Sequence, residues 1–191
     1  MTDAPATSSR TIAPSHLFLG TGLLALVLAV VLVVPTMLAG KPSGAAALAY
    51  GPSVGSIAPD FRLQDALTGK SVDLASLRGK PVWLNFWASW CSGCKQEMPD
   101  IQKLYAQYSP QGLQVIGINV QESANSVRDF TAANNFRWTF LLDTDGRVTD
   151  RYYVNGLPYH VFIGTDGIID AIYPGQLGSA EMEGYIGRIL K

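Results

Sequence analysis

Residues 84–99, Leu-Asn-Phe-Trp-Ala-Ser-Trp-Cys-Ser-Gly-Cys-Lys-Gln-Glu-Met-Pro, decide the fold of this 191-residue chain. They join two patterns. Pro81–Trp87 is a run of bulky and aromatic residues suited to a buried strand. Beyond Cys94, the residues Met98, Ile101, Leu104, Tyr105 and Tyr108 recur at helical spacing and make one apolar stripe, in which Pro99 is expected to produce a kink. The chain's two cysteines, Cys91 and Cys94, fall at the joint. Three residues apart at a helix start, they can close a small disulfide ring. The first thiol stands near the unpaired N–H groups and positive end of the helix, which favour a thiolate. Sites of this kind have thiol pKa values of roughly 3.5–7.5, against about 8.5 for a free thiol. Cys91 is therefore expected to be exposed and to attack a partner disulfide. Cys94, shielded one turn on, would resolve the mixed disulfide.

A C-x-x-C pair is also half of a zinc site. A complete site needs two further ligands, and the chain's two histidines are His16, beside a long apolar run, and His160. No metal and no cofactor is expected. A formal charge of −1 gives no electrostatic case for nucleic acid binding.

Outward from the dithiol, strand-like and helix-like stretches alternate. Ser71–Leu74 reads as a short edge strand and Leu113–Val120 as a buried one. Ser123–Asn135 reads as a helix with Val127 and Phe130 inward, and Trp138–Leu142 as a strand. Tyr159–Gly164 and Ile168–Tyr173 form a hairpin around Asp166-Gly167, and Ala180–Leu190 is a closing helix. The order implies an α/β fold, a mixed sheet sandwiched between helices.

The amino-terminal part differs in kind. Thirty consecutive residues between Arg10 and Lys41 lack Asp, Glu, Lys and Arg. Residues 17–39 are long enough to span the roughly 30 Å hydrocarbon core at about 1.5 Å per residue. They are expected to form a single transmembrane anchor after a tail over 1–16. A cleaved signal peptide is the alternative, with Ala47-Leu48-Ala49 as its small-residue site. Residues 40–55, rich in Gly, Ala, Pro and Ser, read as a flexible tether, leaving 56–191 as the globular domain. Flanking charge is too even to orient the span.

The dithiol stretch resembles the active-site segment of membrane-anchored thioredoxin-like proteins of the TlpA/ResA type, in the redoxin (AhpC/TSA-like) superfamily. Gly55-Ser56-Ile57-Ala58-Pro59-Asp60-Phe61 resembles that family's opening, Leu77-Arg78-Gly79-Lys80 its lead into the strand, and Tyr153-Val154-Asn155-Gly156-Leu157-Pro158 a later motif. The resemblance spans essentially all of 56–191. It implies a thioredoxin fold with a cis Leu157–Pro158 peptide facing the dithiol, where the backbone before a proline is free to pair with a bound substrate strand. Leu157, Pro158 and Trp90 are then expected to contact substrate; for Trp87 and Trp90, packing at the rim, in the core or on the surface is the primary role, with substrate contact secondary. Glu97 matches a glutamate that tunes proton transfer near the thiols; its alternative role is that of a solvated acid in the first turn of a helix. Asn85 stands where cytoplasmic thioredoxins carry a buried aspartate. Its neutral amide cannot serve as that base, which moves the role to Glu97.

Two departures stand out. Gly93 occupies a position where many relatives have proline. Tyr159 and His160 follow Pro158, where relatives often have threonine and cytochrome c maturation members often have glutamate. His160 is expected to be a strand residue with satisfied nitrogens rather than a catalytic base.

The resemblance implies an enzyme, a thiol–disulfide oxidoreductase. It would act on disulfides of exported proteins, apocytochrome c among them, and draw electrons from a membrane donor protein. Its domain would lie outside the inner membrane with the amino terminus in the cytoplasm. The alternatives are a peroxiredoxin-like peroxidase and a non-enzymatic binding module. Against a peroxidase, Ala88 stands where peroxiredoxins carry threonine. Against a binding module, both cysteines are in place.

Overall fold

The computed structural model describes residues 52–191. The tail over 1–16, the anchor over 17–39 and the tether as far as residue 51 lie outside the described residues. Among the described residues, no helix is long and apolar enough to cross a membrane.

The strands are β1 (Arg62–Asp65), β2 (Ser71–Asp73), β3 (Val82–Trp87), β4 (Gln114–Val120), β5 (Thr139–Asp143), β6 (Tyr159–Ile163) and β7 (Ile169–Pro174). They form one sheet in the order β2-β1-β5-β4-β3-β6-β7. The central β3, β4 and β5 are parallel, and the outer pairings are antiparallel. Parallel neighbours need crossover helices. These are α1 (Ser92–Tyr108) between β3 and β4 and α2 (Ala124–Ala133) between β4 and β5; α3 (Arg147–Arg151) and α4 (Ser179–Ile189) follow.

Helices flank the sheet unequally. One face packs Trp83, Trp87, Phe140 and Phe162 against Met98 and Ile101 of α1, Val127 of α2, and Met182 and Ile186 of α4. The other packs Leu84, Phe86, Ile118 and Val161 against Phe61, Leu74, Val148 of α3 and Tyr152. On the first face Phe130, Trp87, Phe140, Trp138 and Phe136 close a ring of aromatic contacts, with centroids 4.7–6.1 Å apart around the circuit. Gly117 of β4 makes room for it. A Cβ there would lie 3.0 Å from Trp87 and Phe140 atoms and 3.1 Å from Trp138.

Two features depart from the sequence expectations. β1 is absent from them, because Arg-Leu-Gln-Asp has no apolar alternation; it becomes a strand by pairing with β2 on one side and β5 on the other. The short α3 is also absent from them. It follows Gly146 in the left-handed region and is held by Asp143, whose carboxylate accepts from the Val148 and Thr149 N–H groups and the Thr149 hydroxyl. Pro99 lies inside α1, which runs as one helix from Ser92 to Tyr108.

Candidate active site

The site lies at the carboxyl ends of β3 and β4, where open α/β sheets place their ligands. After Trp87 the chain turns, with the Cys91 N–H donating to Ala88 O at 3.1 Å. Cys91 then caps α1 in an extended conformation, and its Sγ accepts the Cys94 N–H at 3.1 Å. Cys91 and Cys94 form a disulfide with a Cα–Cα distance of 5.3 Å.

The expectation of an exposed Cys91 needs correction. In this disulfide form Cys91 is 6% exposed and Cys94 fully buried. A capping side chain folds back over the first turn, and the bond to Cys94 draws the sulfur inward. Trp87 packs in the core, wholly buried in the aromatic ring. Trp90, by contrast, is 68% exposed beside Cys91.

The Leu157–Pro158 peptide is cis, as the resemblance implies. Pro158 faces the start of α1, since a Cβ on Gly93 would lie 3.3 Å from Pro158 Cδ and 3.5 Å from Gln176 Oε1. Leu157, just before β6, is partly buried and touches both core layers. The structure thus brings Cys91, Cys94 and Pro158 together, with Trp90 at the rim.

Glu97 is not a solvated acid. It is 1% exposed, because its position on α1 shares the inward face with Cys94 and Ile101. Asn85 Nδ2 donates to its Oε1 at 3.1 Å, and the Leu177 N–H donates to Oε2 at 3.3 Å. His160 Nε2 stands 3.3 Å from the same Oε2. Asn85 therefore neighbours Glu97 as a donor, in keeping with its neutral amide. His160 is a buried strand residue, but only one of its ring nitrogens is paired: Nδ1 accepts from Trp83 Nε1 at 3.2 Å. Next to Pro158, burial pushes the Tyr159 phenol above its ordinary value near 10, so it stays protonated at neutral pH.

Glu122 has no place in the sequence expectations. Its carboxylate accepts the Ser89 N–H at 2.7 Å, the Ser89 hydroxyl at 2.5 Å and Asn119 Nδ2 at 2.6 Å. It ties the loop carrying Trp90 and Cys91 to the end of β4. A serine before the dithiol and an acid just after a buried strand were the available signals, but only the parallel β3–β4 register connects them.

Fold and dithiol together define a class, the thiol–disulfide oxidoreductases built on the thioredoxin fold. Residues 54–172 match the model of the AhpC/TSA family, and the chain belongs to that family. It is 36% identical over 137 residues to thiol-disulfide oxidoreductase ResA of Bacillus subtilis (strain 168), covering 72% of this chain and 76% of ResA. Among solved structures, it is similar to a secreted Mycobacterium tuberculosis disulfide oxidoreductase homologous to E. coli DsbE. The TM-score is 0.62 at 28% identity, over 67% of this chain and 95% of that one. A structure of MTB DsbF in mixed oxidized and reduced forms gives 0.61 at 25% identity, over 68% and 94%. The chain is an enzyme of the thiol–disulfide oxidoreductase class, acting on thiols and disulfides.

Proposed function

We propose that this oxidoreductase is held at a membrane by residues 17–39 and reduces or exchanges disulfides of exported proteins, with Cys91 as nucleophile and Cys94 as resolving thiol. The observation that carries the assignment is the 3.1 Å contact from the Cys94 N–H to Cys91 Sγ. In the reduced enzyme the same N–H, at the positive end of α1, is placed to stabilise a thiolate on Cys91 and not on Cys94. Cys91 thiolate attacks one sulfur of the substrate disulfide, and the other sulfur leaves as a thiolate that takes a proton from water. The buried Cys94 gives its proton to the Glu97 carboxylate and attacks Cys91 Sγ. The bond between Cys91 and substrate breaks, the second substrate sulfur leaves, and the Cys91–Cys94 disulfide forms. Two electrons pass from the dithiol to the substrate. Trp90, Leu157 and Pro158 supply the surface on which the substrate segment lies.

Trapping tests the division of labour. Cys94→Ser should accumulate partners in mixed disulfides that vanish with reductant, and Cys91→Ser should trap few. Equal trapping by both would overturn the assignment.

The anchor and tether support an extracytoplasmic domain supplied by a membrane electron donor, because a domain held outside is cut off from the cytosolic thiol pool. Alkaline phosphatase fused after Lys191 should be active, and an inactive fusion would reverse the topology. Apocytochrome c belongs to the substrate class such a site would accept. A reduction potential near about −270 mV would mark a reductant and one near about −120 mV an oxidant. A peroxidase role gains no support from the site: the threonine of peroxiredoxins is replaced by Ala88, which is buried.

A further inference from the structure

His160 is fully buried on β6, directly opposite Asn85 of β3, and the mechanism above makes no use of it. Its Nδ1 accepts from Trp83 Nε1 at 3.2 Å, and the Asn85 amide nitrogen lies 3.4 Å from the same atom. With Nδ1 occupied as an acceptor, the proton of the neutral imidazole sits on Nε2. That N–H stands 3.3 Å from Glu97 Oε2 and has no aligned acceptor among the described residues. Buried donors in native proteins are nearly always paired, so an N–H left facing one carboxylate oxygen points to a role for the contact. Asn85 holds Oε1 of that carboxylate, and the Leu177 N–H reaches Oε2 from the segment before α4.

We propose that His160 is a positioning residue for the resolving step, its Nε2–H holding the Glu97 carboxylate in place while that carboxylate takes the proton of Cys94, one helical turn away. The inference rests on the proton-accepting role proposed for Glu97. When the Cys94 proton arrives, Oε2 ceases to be a charged acceptor. The Cys94 sulfur bonds to Cys91 Sγ, the substrate sulfur departs with its electron pair, and Glu97 later returns the proton to water. His160 itself keeps its proton on Nε2 throughout. The groups packed around its ring are Glu97 of α1, Trp83 and Asn85 of β3, and Phe162 of β6, and its register partner on β7 is Tyr173. Tyr185 of α4 stacks on Phe162 behind them.

The test is the single-turnover rate of mixed-disulfide resolution from about pH 5 to pH 9, using a small aromatic disulfide as probe. His160→Phe should slow resolution about tenfold and shift its pH profile, leaving the first attack by Cys91 unchanged. His160→Gln, whose amide N–H can reach the same oxygen, should recover most of the rate. Added to Glu97→Gln, His160→Phe should change the rate less than about twofold. An unmoved pH profile in His160→Phe, or an equal loss in the Glu97→Gln background, would overturn the inference while leaving the role of Glu97 intact. An unmoved profile in Glu97→Gln would overturn both. Should His160→Phe fail to fold, nitrogen-15 NMR of the unmutated protein decides. The Nε2–H form is expected in both redox states, with a resonance that responds to Glu97→Gln; the Nδ1–H form would overturn the inference.

Discussion

On the face of the sheet covered by α1, α2 and α4, strand β3 presents Trp83, Asn85 and Trp87; on the other it presents Leu84 and Phe86. The same alternation runs through β6, with His160 and Phe162 on the first face and Tyr159, Val161 and Ile163 on the second. One face buries the disulfide together with Glu97, Asn85 and His160. The other is almost wholly apolar; its principal buried charge, Asp143, is consumed in holding the start of α3. Side chains on successive strand residues point opposite ways, so a single strand can serve chemistry and stability without either compromising the other. The difference teaches that the polar groups beside the dithiol are segregated from the apolar layer by residue parity along β3 and β6.

Changes to the two faces should therefore separate activity from stability. The largest effect is expected at Cys91→Ser, which should abolish insulin disulfide reduction, a loss of about a thousandfold or more, because no other thiolate can begin the reaction. Its melting temperature should match that of the reduced unmutated enzyme; a collapsed fold would break the comparison. On the opposite face, Leu84→Ala removes a fully buried side chain from the central strand. It should cost about 2–5 kcal/mol in denaturant unfolding yet leave the reduction potential unchanged. A shifted potential would show that the faces are coupled.

Glu122→Gln sharpens the contrast from the loop side. It weakens the contacts from the Ser89 N–H and hydroxyl, each a hydrogen bond to a charged group worth about 1.5–3 kcal/mol. The attack rate of Cys91 should fall several-fold, with a smaller change in unfolding free energy, measured by stopped-flow and urea titration respectively. The smallest effect is expected at Tyr159. Burial raises the folded-state pKa of its phenol, so its contribution is fully present below the unfolded value near 10 and is lost as pH rises through the folded value. The melting temperature should fall more steeply with pH above about 10 in the unmutated protein than in Tyr159→Phe. Parallel curves would remove Tyr159 from the account.

What the sequence made legible follows from how local each signal is. β3, β4 and β6 are buried on both faces and read as largely apolar runs, broken by Asn85, Asn119 and His160, and the dithiol at a strand-to-helix joint is a local pattern. β1 was illegible because its strand character comes from two partners, one of them β5, distant in the chain. The burial of Glu97 was within reach, since Cys94, Glu97 and Ile101 fall on one side of α1. Its contact with His160 was not, because it depends on the antiparallel register that sets Asn85 against His160. Exposure of Cys91 was misjudged for a related reason: helix position fixes which sulfur caps the turn, but neighbouring elements decide how much water reaches it.

The four tryptophans are divided sharply by solvent access. Trp83, Trp87 and Trp138 are 0–2% exposed, while Trp90 is 68% exposed and adjoins the reactive sulfur. The enzyme thus carries its own optical probe. A neutral collisional quencher such as acrylamide will reach one indole and spare three, and that one belongs to the surface proposed above for the substrate segment. Occupancy of the site can be followed as the disappearance of quenching, with no label attached and no cysteine modified.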